Sequence, residues 1–134
     1  GLTRYVTKAH LVRATLEAIC YQSREVLEAM EAVAGIALLK LKVDGGAAVN
    51  NLLMQLQADI LDKEVIRPVV RETTALGSAY MAGLATGYWS SLQDLRANWR
   101  VDRTFEPSWN SERRASGYAG WQKAVSKAKN WIEG

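Results

Sequence analysis

The stretch that most constrains this chain is Leu41-Lys42-Val43-Asp44-Gly45-Gly46-Ala47-Ala48-Val49-Asn50-Asn51. It reads as a strand, a two-glycine turn and the first turn of a helix. Leu39, Leu41 and Val43 alternate with Lys40 and Lys42, the period-2 pattern of a half-buried strand. Gly45 and Gly46 can take positive φ and carry no side chain, so another backbone or a flat ligand can come close. From Ala47 to Leu61 the spacing of Leu52, Leu53, Leu56, Ile60 and Leu61 predicts a helix. Its free N–H groups and positive dipole end would point back at the glycine turn and favour a polar or anionic ligand. Glycine pairs at such turns also serve as plain connectors, so the local pattern leaves both readings open.

The rest of the chain alternates helices with short strands. Thr7 is placed to cap a long helix reaching about Ala34, with Gly35 as its stop. Its apolar stripe is Leu11, Val12, Leu16, Ile19, Val26, Leu27, Met30 and Val33. A strand over Ile36–Val43 leads into the glycine turn. Glu64–Pro68 reads as a second strand that Pro68 ends or confines to an edge. Thr73 or Thr74 is expected to cap a helix running to about Thr86, closed by Gly87. Gly77 and Gly83 inside that helix each cost roughly 1 kcal/mol, which points to close packing or a nearby ligand. Tyr88 and Trp89 form an aromatic plug. Ser91 with Asp94 resembles a capping box for a short helix to about Asn98. Val101–Phe105 reads as a third strand. A last helix starts at Asn110 or Ser111 and runs to the end, with Tyr118, Trp121, Val125, Ala128 and Ile132 as its stripe and Trp131 beside it. This order predicts an α/β layer with parallel strand pairing. Two or three strands make a thin sheet for so many helices, so strands preceding residue 1 are expected to be missing.

Composition bounds the chemistry. The chain has 134 residues, enough for one domain with a real core. No apolar run reaches the roughly 18 residues that span a membrane, and no signal peptide is expected. The net charge of +3 is mild and evenly spread, so nucleic acid is not an expected partner. Cys20, the single cysteine, suits a reducing compartment and reads as an inert buried thiol. With one histidine, His10, the usual zinc spacings are impossible. No Ser-His-Asp set and no GxxxxGK[ST] loop is present. Asp44 could act as a base or bind Mg²⁺, but a hydrogen bond within the turn is the preferred reading. Asn50 lies one helical turn beyond Gly46, so the two can face one pocket, where an amide could donate to and accept from a purine or a ribose.

Longer motifs go further. Asp44-Gly45-Gly46-Ala47, Asn50-Asn51-Leu52-Leu53-Met54-Gln55 and Gln57-Ala58-Asp59-Ile60-Leu61 resemble the C-terminal lobe of the glycerol kinases within the FGGY carbohydrate kinase family. So do Arg67-Pro68, Glu72-Thr73-Thr74-Ala75-Leu76-Gly77-Ser78-Ala79-Tyr80, Ala82-Gly83-Leu84-Ala85 and Gly87-Tyr88-Trp89. His10 to Glu17 looks like the end of the family's second signature, while Phe105-Glu106-Pro107 and Tyr118 to Val125 match its tail. Tyr5 departs from the pattern, which has glycine after Arg4.

The resemblance implies part of the C-terminal lobe of an actin/hexokinase-like (ribonuclease H-like) ATPase fold, helix-rich with a short sheet. Residues 1–134 would be a fragment of that nucleotide-binding lobe, lacking the N-terminal lobe and the start of this one. The parent activity it implies is ATP-dependent phosphorylation of glycerol to sn-glycerol 3-phosphate with Mg²⁺. A cytoplasmic location is expected beside it from the lone cysteine, and a homo-oligomer from the sheet edge and apolar surface that missing strands would leave exposed. Gly46 and Asn50 match residues that contact the nucleotide, with Gly45 and Ala47 shaping the approach. Glycerol would be bound through the missing lobe, which also holds the catalytic aspartate. No catalytic or metal residue is expected in this chain, and the fragment is expected to be inactive alone. Two other readings stand beside this one: an FGGY kinase of a pentulose or hexulose, and a helical interaction module whose glycine turn is structural.

Overall fold

A computed structural model describes residues 2–129. Five helices and three strands follow one another as α1 (Lys8–Ala34), β1 (Lys40–Lys42), α2 (Asn51–Leu61), β2 (Glu64–Pro68), α3 (Thr73–Ala85), α4 (Leu92–Arg96), β3 (Val101–Phe105) and α5 (Ser111–Ala128), with a 3-10 turn at Gly46–Val49 before α2. Punctuation read from sequence holds at most ends. The Thr7 N–H donates to His10 Nδ1 at 3.0 Å, which gives the sole histidine a capping role. Gly35 closes α1 in the left-handed region at φ 65°. Ser91 and Asp94 form the capping box of α4. Asn110 caps α5, its side chain accepting from the Arg113 N–H. Ile132, the end of the expected α5 stripe, and Trp131 beside it lie outside the described residues.

The sheet has the order β1-β2-β3. β1 and β2 run parallel, as expected, with Lys40 opposite Glu64 and Lys42 opposite Ile66. β3 runs antiparallel to β2, with Phe105 opposite Val65 and a bulge at Arg67/Pro68. A parallel return needs a crossover packed over the sheet. α3 and α4 bury no residue and make no such crossover, so the chain re-enters from the end it left. The first strand is shorter than the Ile36–Val43 pattern suggests, because β2 offers partners only from Glu64 onwards. Ile36 and Leu39 are exposed.

The core joins Cys20 and Tyr21 of α1, Leu53, Met54, Leu56, Ala58 and Ile60 of α2, Val65 of β2 and Phe105 of β3. Tyr118 and Trp121 of α5 pack on it, with the Trp121 ring stacked 5.7 Å from that of Tyr21. The expected α1 stripe is corrected here. Cys20 and Tyr21 form the buried face, whereas Val12, Val26, Met30 and Val33 are exposed. Leu16 of the stripe packs against that core, so the expected face is met in part and the rest of it lies open. No helix among the described residues is long and apolar enough to cross a membrane.

Candidate functional site

The glycine turn lies where the carboxyl ends of the two parallel strands meet, the usual position for a ligand crevice in an α/β sheet. The Gly45 N–H donates to the Arg71 carbonyl just past β2 at 2.8 Å, tying the two strand ends together. Gly45 sits at φ 80°, ψ 178°, a conformation open essentially to glycine alone. Gly46 is different. It is exposed, needs no positive φ, and a Cβ added there would meet no atom within 4 Å. Neither its backbone nor its neighbours among the described residues demand a glycine. What the bare Cα provides is room on the solvent side of the turn.

The helix expected from Ala47 is in fact two pieces. Gly46–Val49 winds as a 3-10 turn that buries Ala48, and α2 begins afresh at Asn51. Asn50 breaks the two at φ −76°, ψ 103°, and its Oδ1 accepts from the N–H groups of Leu52 and Leu53 at 3.0 and 3.1 Å. The reading of Asn50 as both donor and acceptor is therefore corrected. Its oxygen is committed to the cap, and only the Nδ2 donor is left for a ligand. The anion-binding character expected of this helix end shrinks for the same reason, since the cap and the Met54 N–H to Asn50 carbonyl bond use its first donors. A neutral acceptor, such as a ring nitrogen or a ribose oxygen, suits the site better than a phosphate. Gly46, Ala47 and Asn50 are all exposed, and Gly45 is half-buried behind them.

Asp44 does not bond within its own turn. It accepts from the Thr73 hydroxyl, fastening the end of β1 to the start of α3. Thr73 is the first residue of that helix; the preceding position is Glu72, whose side chain makes no cap. Asp44 is thus occupied, and no group of three or more His, Cys, Asp or Glu among the described residues could hold a metal ion. Cys20 is fully buried, its thiol 3.8 Å from the Leu53 carbonyl; burial above all, with the Glu17 charge adding, pushes it up to about 12. That leaves it unionised and unsuited to attack.

One important residue carries no weight in the local sequence pattern. Arg67 lies within the buried strand β2, only 7% exposed. Its Nη1 donates to the Ala48 carbonyl at 2.8 Å and to Asn51 Oδ1 at 2.9 Å, while Nε pairs with Asp102 Oδ2 at 2.6 Å. The available signal is the arginine itself, a permanent charge in the otherwise apolar run Val65-Ile66-Arg67-Pro68.

Known proteins are similar to this chain in sequence and fold. Residues 1–86 match the family model "FGGY family of carbohydrate kinases, C-terminal domain". Over 133 residues the chain is 60% identical to a glycerol kinase of Mycobacterium tuberculosis and 61% identical to one of Petrotoga mobilis, in each case across 99% of this chain and 26% or 27% of the relative. The chain therefore spans about a quarter of the length of the curated relatives it matches. The structure of Plasmodium falciparum glycerol kinase with ADP superposes at a TM-score of 0.85, with 31% identity, covering 99% of this chain and 26% of that one. The fold is that of the actin/hexokinase-like sugar kinases, and the chain belongs to the FGGY family of carbohydrate kinases.

Proposed function

We propose that this chain is the nucleotide-facing part of the C-terminal lobe of a longer glycerol kinase. That enzyme moves the γ-phosphoryl group of ATP to a terminal hydroxyl of glycerol, yielding sn-glycerol 3-phosphate and ADP. The observation that carries the reading is the 60% identity to a glycerol kinase across nearly the whole chain. In this reading Gly46 lies against the adenosine, Gly45 and Ala47 shape the approach, and Asn50 Nδ2 donates to it. The open space at Gly46 supports this, because a ligand gives the bare position a purpose that the fold does not.

Phosphoryl transfer is chiefly positioning and charge stabilisation of nucleophile, phosphates and Mg²⁺ together. The described residues supply the base end of that arrangement. Mg²⁺ neutralises phosphate charge when bound with the nucleotide, and the glycerol pocket belongs to the preceding lobe. We further read the enzyme as cytoplasmic and homo-oligomeric; exposed Val26 and Met30 on α1 are apolar surface on which chains could associate.

The test is steady-state kinetics of the full-length enzyme that carries this segment. Glycerol-dependent ADP production is expected there and none from the 134-residue chain alone. Gly46→Val is expected to raise the KM for ATP by at least about tenfold while leaving the melting temperature in place, because the valine fills ligand space and displaces no protein atom. Asn50→Asp keeps the capping oxygen and removes the donor, so it should weaken nucleotide binding without unfolding α2. Glycerol turnover by the isolated chain, or an unchanged ATP KM in Gly46→Val, would contradict the reading.

A further inference from the structure

We propose that Arg67, acting with Asp102 and Asn51, is a positioning residue for the nucleotide: it holds the 3-10 turn Gly46–Val49 at a fixed distance from the sheet and so sets ATP affinity without touching ATP. The proposal rests on the adenosine reading of that turn. It starts from a cost. Taking a guanidinium out of water is unfavourable unless its donors are satisfied, and well-packed apolar residues in place of a buried ion pair are often as stable or more so. Arg67 is 7% exposed, so contributing stability alone is a weak reason for an arginine there.

Its contacts say what it fixes. Nη1 reaches the carbonyls of Ala48 at 2.8 Å and Val49 at 3.4 Å, the last two residues of the turn, and Asn51 Oδ1 at 2.9 Å, in the first residue of α2. Nε is held by Asp102 Oδ2 at 2.6 Å, and the guanidinium carbon lies 5.3 Å from the centre of the Phe105 ring. One planar group therefore joins β2, β3, the turn and the start of α2. The turn has few other ties: Gly45 holds one end through Arg71, and Ala48 is its only buried side chain. Gly46 and Asn50 stand on either side of the two carbonyls that Arg67 grips. A shift of those carbonyls carries both ligand-facing residues with it, and displacements of about 1 Å at a site can change rates by up to roughly 10²-fold. Lysine cannot replace this fork, since its single ammonium has no planar geometry to serve the turn and Asp102 together.

The experiment compares Arg67→Lys, Arg67→Met, Asp102→Asn and Asn51→Ala in the full-length enzyme, with KM for ATP, KM for glycerol, kcat and melting temperature measured on each. Arg67→Lys and Arg67→Met are expected to raise the ATP KM roughly tenfold, with the glycerol KM within about twofold, by the misplacement just described. Asp102→Asn and Asn51→Ala, which each loosen one contact, are expected to give about threefold by the same effect. Asn51 is exposed and lies at the helix start, so its variant reports even where an Arg67 variant does not fold. An ATP KM that stays level in folded variants, or that rises in step with the glycerol KM, overturns the positioning role. Gly46→Val separates the two levels. If it raises the ATP KM and the Arg67 and Asn51 variants do not, positioning alone fails; if none of them does, the adenosine reading fails with it.

Discussion

α2 and α3 are both apolar helices of about three turns, and their surroundings are opposite. Seven of the eleven residues of α2 are buried; of the thirteen in α3, none is. α2 is in contact with α1, β2, β3 and α5. α3 is held at its start by the Asp44–Thr73 bond and at its end by Trp89, which folds back over Gly83 and meets the Tyr80 ring edge-on at 5.1 Å. An apolar helix gains from burial only where something covers it. The contrast teaches that apolar content alone does not locate a helix; the neighbouring surfaces decide.

The largest expected effect separates the two helices directly. Leu56→Ala opens a cavity in a closed core and should cost about 3–5 kcal/mol, whereas Met81→Ala on exposed α3 should stay within about 0.5 kcal/mol. Urea unfolding of the two variants measures this, and comparable losses would erase the contrast. Within α3 a smaller effect divides the two glycines. A Cβ at Gly83 runs into Trp89 Cε3 and Cζ3, so Gly83→Ala should destabilise by about 1–3 kcal/mol. Gly77 faces open space, and Gly77→Ala should stabilise by up to about 1 kcal/mol through helix propensity. The same sign for both would show that Trp89 yields.

The smallest effect at neutral pH concerns the α1–α2 contact. Cys20 stands at about 12 in the folded chain against an ordinary value of 9.0. The unfolded chain therefore loses its thiol proton first, so stability is whole below about pH 9 and declines as pH rises towards 12. The urea midpoint followed from pH 8 upwards checks the sign. At pH 8 an aromatic disulfide reagent should titrate Cys20 only after denaturant is added; rapid native-state reaction would mean that the helices part readily.

Much of this fold is legible in the sequence, because local rules dominate it. Thr7, Gly35, Ser91, Asp94 and Asn110 act on the backbone a few residues away, and β2 runs from Glu64 to Pro68 as its composition and its proline suggest. The illegible parts are non-local. The direction of β3 depends on α3 and α4 failing to cross the sheet. The exposure of the α1 stripe depends on what else packs there. At the site, Gly45, Gly46, Ala47 and Asn50 sit together as their spacing implies, but the break at Asn50 was hidden because its capping bonds and the apolar period of α2 share the same few residues. Arg67 was hidden for the opposite reason: its partners lie 16 to 35 positions away.

In the proposed function the two adjacent glycines each resist change, on different grounds. Any side chain at Gly45 must enter a conformation closed to it. Any side chain at Gly46 has room in the structure and would lose it only to the proposed nucleotide. A saturation library selected for soluble, folded protein would therefore show depletion at Gly45 and near-neutral drift at Gly46. In the proposed function, the same library placed in the full-length enzyme and selected for growth on its substrate, glycerol, would show depletion at both. The difference between the two enrichment profiles, position by position, would show which positions of this turn the proposed nucleotide covers.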